Sequence, residues 1–192
     1  MRFDLYSLIH KAQRKHLFNL AADIGQCNPA NEIQCLSIID RVHAMVELIE
    51  DHRNNEETFI HPLYIEAGIQ NLVMDVEHHQ LELHMQQLKE LCLKKDITAL
   101  YREFNRFIAA YLLHQDEEER QQELVLWKHF DDARLMGAMA TFAASKSPQE
   151  MLAGFEFMAP ALNIHELMRI FDPKPIPAHK DSNTEVPSQL GA

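Results

Sequence analysis

Two histidine–glutamate pairs carry the most chemistry in this chain: His52 with Glu56 in D-H-R-N-N-E-E-T-F-I-H-P, and His114 with Glu118 in L-L-H-Q-D-E-E-E. Each pair is four residues apart. On an α-helix that spacing sets both side chains on one face, about one turn apart. An imidazole nitrogen beside a carboxylate oxygen is a ligand pair for a metal cation. A single such pair is common on a solvated helix; the repeat asks whether the fold brings the two together.

The elements that position them are helical. Around the first pair the stripe at 38, 42, 45, 49, 52, 56, 59 and 63 reads Ile, Val, Met, Ile, His, Glu, Phe, Leu. Around the second, positions 100, 104, 107, 111, 114, 118 and 125 read Leu, Phe, Phe, Tyr, His, Glu, Val. Alternating steps of three and four are the periodicity of packed helices, so each pair interrupts a core-facing seam. Residues 3–24 form a first such segment, with Asp4 as N-cap or first-turn acid and Tyr6, His10, Gln13, Leu17, Leu20 and Ile24 on one stripe. Residues 71–93 form a third, with Met74, His78, Leu81, Met85, Leu88 and Cys92 in line. His79 points about 100° away but stays the alternative to His78, because the start of that helix is not set by the sequence. Gly25 is a C-cap candidate, Asn31 an N-cap, and Pro62 kinks or ends the second helix ahead of a turn at Gly68. The fourth helix runs from Ile97 past Trp127.

Antiparallel order turns these positions into one prediction. If the four helices run up-down-up-down with short connections, His10 and His78 lie early in the first and third. The same level falls late in the second and fourth, where both His-Glu pairs are found. His10, His52, Glu56, His78, His114 and Glu118 then share one layer of one core. Such a layer cannot be buried without partners, since a desolvated charge is costly. A dense ion-pair network would serve, as would a metal centre. Two inward carboxylates with several imidazoles and no thiolate suit a two-metal site of iron, manganese or zinc. Glu57 and Glu119, one residue off the stripes, are read as exposed, and His61 as a helix-end histidine.

The expected architecture is all-α: a four-helix bundle over residues 1–130, additional C-terminal helices over 131–172, and a disordered tail over 173–192. Within the extension, Pro148 behind Ser147 opens a helix, Pro160 breaks it, and residues 164–171 form a short last helix. These helices are expected to cover the site end of the bundle, gating access or making a homodimer. The proline-rich, polar composition after Pro173 is that of disorder.

Composition narrows the function. The net charge of −11 argues against nucleic acid or an anionic membrane surface as partner. No apolar run reaches membrane-spanning length, and no secretory signal is evident. Cys27, Cys35 and Cys92 match no zinc or redox spacing and read as isolated, buried residues of a cytoplasmic protein.

In combination, H-K-A-Q-R-K-H-L-F, H-R-N-N-E-E-T-F-I-H-P-L and Y-L-L-H-Q-D-E-E-E resemble segments of bacterial members of the hemerythrin-like (HHE cation-binding) family, over residues 3–130. The resemblance implies a bundle around a non-haem di-iron centre bridged by two carboxylates and an oxo or hydroxo group. It implies binding or sensing of O2, reactive oxygen, peroxide or nitric oxide, or iron handling. The oxygen-carrying members have H-x-x-x-H in the third helix, where this chain has Met74 four before His78, and they space the last carboxylate one residue later than Glu118. Both departures point away from simple reversible O2 carriage. The competing expectations are a di-iron enzyme of peroxidase, NO-reducing or iron-centre repair type, and a metal-free interaction module with a polar core layer.

Overall fold

A computed structural model describes residues 2–70 and 72–171, and its regular structure is helical, with no strand among the described residues. The tail expected from Pro173 onward lies outside the described residues, as does the Met74 side chain. Four long helices dominate: α1 (Ser7–Gln26), α2 (Glu32–Phe59), α4 (Leu72–Lys94) and α5 (Ile97–Gln121), with a short α3 (His61–Glu66) after α2. α1 packs against α2 and α5, and α4 packs against the same two, so the four enclose a common core. That core includes Leu17, Leu20, Ile38, Val42, Leu81, Leu88, Phe104 and Phe107. Each is a stripe residue, and burying a side chain of this size stabilises by roughly 1.5–3 kcal/mol.

Helix ends follow local chemistry. Asn31 Oδ1 accepts from the Gln34 N–H at 3.1 Å, and Asp96 Oδ1 from the Ala99 N–H at 3.0 Å. Asp4 Oδ1 accepts from the N–H groups of Tyr6 and Ser7, so α1 starts four residues later than position 3 suggests. Gly25 is not the C-cap: it lies inside α1, where an added Cβ would come within 3.0 Å of the Tyr101 ring. The glycine there lies against Tyr101 of α5 and forms no turn. Pro62 sits in the first turn of α3 and Gly68 adopts φ +79° after it.

The fourth predicted helix is not uniform. After Gln121 it widens into a π-helical turn (Gln122–Leu126), followed by α6 (Trp127–His129). The turn buries Gln122, whose Oε1 accepts from the Leu5 N–H at 2.6 Å while Nε2 donates to Asp4 Oδ1 at 3.1 Å. The N-terminal segment is thereby tied to the end of α5.

The C-terminal elements are α7 (Asp132–Ser145), α8 (Pro148–Met158), a 3-10 turn (Ala159–Ala161) and α9 (Ile164–Phe171). Ser147 and Glu150 form a reciprocal capping box on α8. α7 contributes Leu135 and Ala138 to a second apolar cluster with Leu5, Tyr6, Ile60, Leu63, Tyr64, Val125 and Leu126. α8 instead lies along α1, with Phe157 stacked on the His16 ring at 4.3 Å, and Lys11 pairs with Glu166 of α9 at 2.7 Å. The extension therefore divides between one end of the core and the flank of α1. No described helix is long and apolar enough to cross a membrane. The three cysteines are free and buried, but two are not isolated, since Cys27 Sγ lies 3.7 Å from Cys35 Sγ across the α1–α2 connection.

Candidate metal centre

Each long helix delivers its side chains to the centre from a stripe position. His10 comes from the first turn of α1, His52 and Glu56 from the late part of α2, His78 from α4, and His114 and Glu118 from the last turns of α5. Glu56, His78, His114 and Glu118 are all buried, with one donor atom each inside 4.8 Å of the others; His10, His52 and Glu56 make a second such group. Glu56 belongs to both, so the six form one continuous cluster that could hold metal ions.

The inward atoms lie at ion-pair distance, yet several are not aligned as hydrogen bonds. His52 Nε2 lies 2.9 Å from Glu56 Oε1, and His114 Nε2 lies 3.1 Å from Glu118 Oε1. His10 Nε2 is 3.4 Å from Glu118 Oε2 and 3.8 Å from Glu56 Oε1, and His78 Nε2 is 4.0 Å from Glu118 Oε1. Nevertheless Nε2 of His10, His52 and His78, Glu56 Oε1 and Glu118 Oε1 are buried with no hydrogen-bond partner. Buried polar atoms in proteins are almost always satisfied, and leaving several together unsatisfied is costly. Convergent donors that do not align on one another fit cations placed among them.

The outward nitrogens are held. His10 Nδ1 lies 2.9 Å from Glu119 Oε1, which also accepts from Arg14 Nη2 at 2.8 Å. His114 Nδ1 lies 3.1 Å from Glu77 Oε2, and His78 Nδ1 lies 3.5 Å from Glu57 Oε1. A carboxylate on one imidazole nitrogen fixes the ring and makes the other nitrogen a better donor. Glu119 is thus a partner of His10 and not a free surface residue, which corrects the reading of it as exposed. Glu57 is half exposed, as its position off the stripe suggests. Sequence reasoning missed Glu77; its only signal is its place next to His78.

His79, the alternative to His78, is not in the cluster. Its side chain is 71% exposed and its Nδ1 lies 3.6 Å from Glu82. α4 starts at Leu72, which leaves the 78 position on the inward stripe. His61 is closer to the centre than a helix-end histidine would be: its ring stacks on His78 at 5.5 Å and its Nε2 is buried and unpaired. One layer away, Gln13 Oε1 accepts from Tyr111 Oη at 3.0 Å and from Gln115 Nε2 at 2.8 Å.

Electrostatics couple the cluster. Burial pushes Glu118 up, yet contacts with His10 and His114 outweigh it and hold the carboxyl well below its usual range. Burial lowers His114, but Glu118 and then Glu77 raise it to about 9. Burial likewise lowers His10, and Glu118, Glu119 and Glu56 lift it well above the ordinary imidazole value. His78 is lowered, by burial and then by His114. Tyr6 is raised by burial and by Tyr64, Glu118 and Glu56, so its phenol stays protonated.

No protein-family model, no curated protein and no solved structure matches this chain.

Proposed function

We propose that this chain is a hemerythrin-like, non-haem di-iron protein built on a four-helix bundle, which binds or senses O2, nitric oxide or peroxide. The observation that carries the reading is the set of unpaired, buried donor atoms contributed by both His-Glu pairs, His10 and His78. His10 and His52 would supply imidazoles to one iron and His78 and His114 to the other, with Glu56 and Glu118 as carboxylate ligands available to both. Imidazole with carboxylate and no thiolate suits iron, with manganese and zinc as competitors. Iron in such a site would supply reversible redox change and coordination of a diatomic or peroxide ligand.

The chain's own residues set the terms of that chemistry. Two carboxylates offset cationic charge in a site walled by apolar side chains. Glu119 and Glu77 fix the rings of His10 and His114. Tyr6 packs its ring 5.4 Å from His10, and its buried hydroxyl lies beside that of Tyr64. Both are protonated donors at neutral pH, suited to hold an anionic or polar ligand. Tyr6 itself packs in the second apolar cluster, to which α7 contributes Leu135 and Ala138.

The test is anaerobic loading of the purified chain with Fe(II), followed by iron analysis and optical spectra under air and under nitric oxide. About two irons per chain, with a visible charge-transfer band that changes with nitric oxide, is the expected result. A protein that takes up no iron sinks the reading.

A further inference from the structure

We propose that His61 is a metal ligand, the third imidazole of the cation that His78 and His114 face. The proposal rests on the metal-centre reading and adds a donor to it. His61 stands at the start of α3, just beyond Ile60. On an unbroken α2 it would lie about 140° round the axis from Glu56, away from the site. The chain departs from regular α2 at Ile60, with φ −108°, and tightens so that the Leu63 N–H donates to Ile60 O at 2.9 Å. The ring then stacks on His78 at a centroid distance of 5.5 Å and an interplanar angle of 13°.

Three observations converge. His61 Nε2 is buried and has no hydrogen-bond partner, the same condition as Nε2 of His10, His52 and His78. The spacing from His61 to His78 matches those of the imidazole pairs already in the cluster, 5.4 Å for His10–His52 and 4.8 Å for His78–His114. The position is also held, because Leu63 and Tyr64, two and three residues on, are buried in the second apolar cluster. His61 stands outside the set of donors gathered within 4.8 Å around Glu118. That placement suits a ligand on the outer side of the His78 cation, remote from the carboxylates between the two metals. A buried imidazole nitrogen needs a partner, and a cation held by His78 is the one this site offers.

The experiment titrates the full chain anaerobically with Fe(II), and separately with Co(II) as an optical probe, for the wild type, His61→Ala and His61→Gln. Circular dichroism establishes that each variant is folded, and the glutamine variant keeps a polar side chain of similar reach. The expected result is two cations in the wild type. Both variants keep one at wild-type affinity, bind the second about 10–100-fold more weakly, as for loss of a supporting site residue or worse, and show an altered Co(II) spectrum. Added imidazole should restore the second cation in His61→Ala. Two cations at wild-type affinity with an unchanged Co(II) spectrum in a folded variant would overturn the role of His61 alone. A wild type that binds no cation would overturn the metal centre itself, and His61 with it.

Discussion

His10 uses both ring nitrogens: Nδ1 lies 2.9 Å from Glu119 Oε1, and Nε2 lies 3.4 Å from Glu118 Oε2. Two adjacent residues of α5 therefore act on opposite sides of one imidazole of α1. The first orients the ring and the second shares its inward face. Glu119→Gln should accordingly weaken metal affinity about 10–100-fold while leaving the number of bound cations unchanged. Competition with a chelator of known affinity reads this out, and an unchanged affinity would reduce Glu119 to a surface ion pair with Arg14.

Removing a carboxylate from the centre should do more. Glu56 contacts imidazoles of two helices and Glu118 those of three, so Glu118→Ala should abolish loading of both cations. In the metal-free protein it also strips the counter-charge from His10 and His114, and breaking a buried ion pair in this way costs on the order of 3–5 kcal/mol. Metal analysis and thermal melts of the same samples separate the two effects.

The two neighbouring histidines of α4 make a sharp contrast. His78→Ala should lose a cation, whereas His79→Ala should bind metal as the wild type does and change stability by less than about 0.5 kcal/mol, as expected of an exposed substitution. The reverse outcome would mean that α4 is rotated in the loaded protein.

Metal removal should expose a pH dependence of definite sign. In the metal-free protein His114 is raised to about 9 by Glu118 and Glu77 against the opposing effect of burial. A raised folded-state value stabilises fully below the ordinary imidazole range of about 6.5, and that contribution is lost as pH rises through about 9. Glu118, held well below the usual carboxylate range, acts oppositely: its contribution is present above that range and lost in acid. Because each cation displaces protons from the imidazoles, metal affinity should climb from pH 6.5 towards 9, where the metal-free fold weakens. Chelator competition and melts across this range test both slopes.

The apolar core shared by the long helices offers a control away from the site. Phe104 is fully buried among the stripe residues of α5, and Phe104→Ala should destabilise by about 3–5 kcal/mol through lost burial and a cavity. Its metal stoichiometry at low temperature should stay that of the wild type.

The six residues that meet in the cluster were legible because each breaks an apolar stripe at a core position, and a stripe is a property of one helix. The same holds for the caps at Asn31 and Ser147, where the accepting side chain and the donor N–H lie three residues apart. Gly25 misled, because a glycine near a helix end looks like a C-cap until the neighbouring helix, with Tyr101, is in place. The π-helical turn at Gln122–Leu126 had no periodic signature; its reason lies in the distant Asp4 and Leu5 that Gln122 holds.

The sequence by itself determined the helical class, the inward faces and the residue types on them, because helical periodicity needs only three- and four-residue spacing. Tertiary structure decided between His78 and His79, set Glu119 and Glu77 behind the imidazoles, brought Cys27 beside Cys35, and turned His61 onto His78. Each of those depends on how far one helix is rotated about its axis, or bent at a single residue, relative to another. No short-range pattern encodes that angle; it follows from how side chains of several helices pack at once.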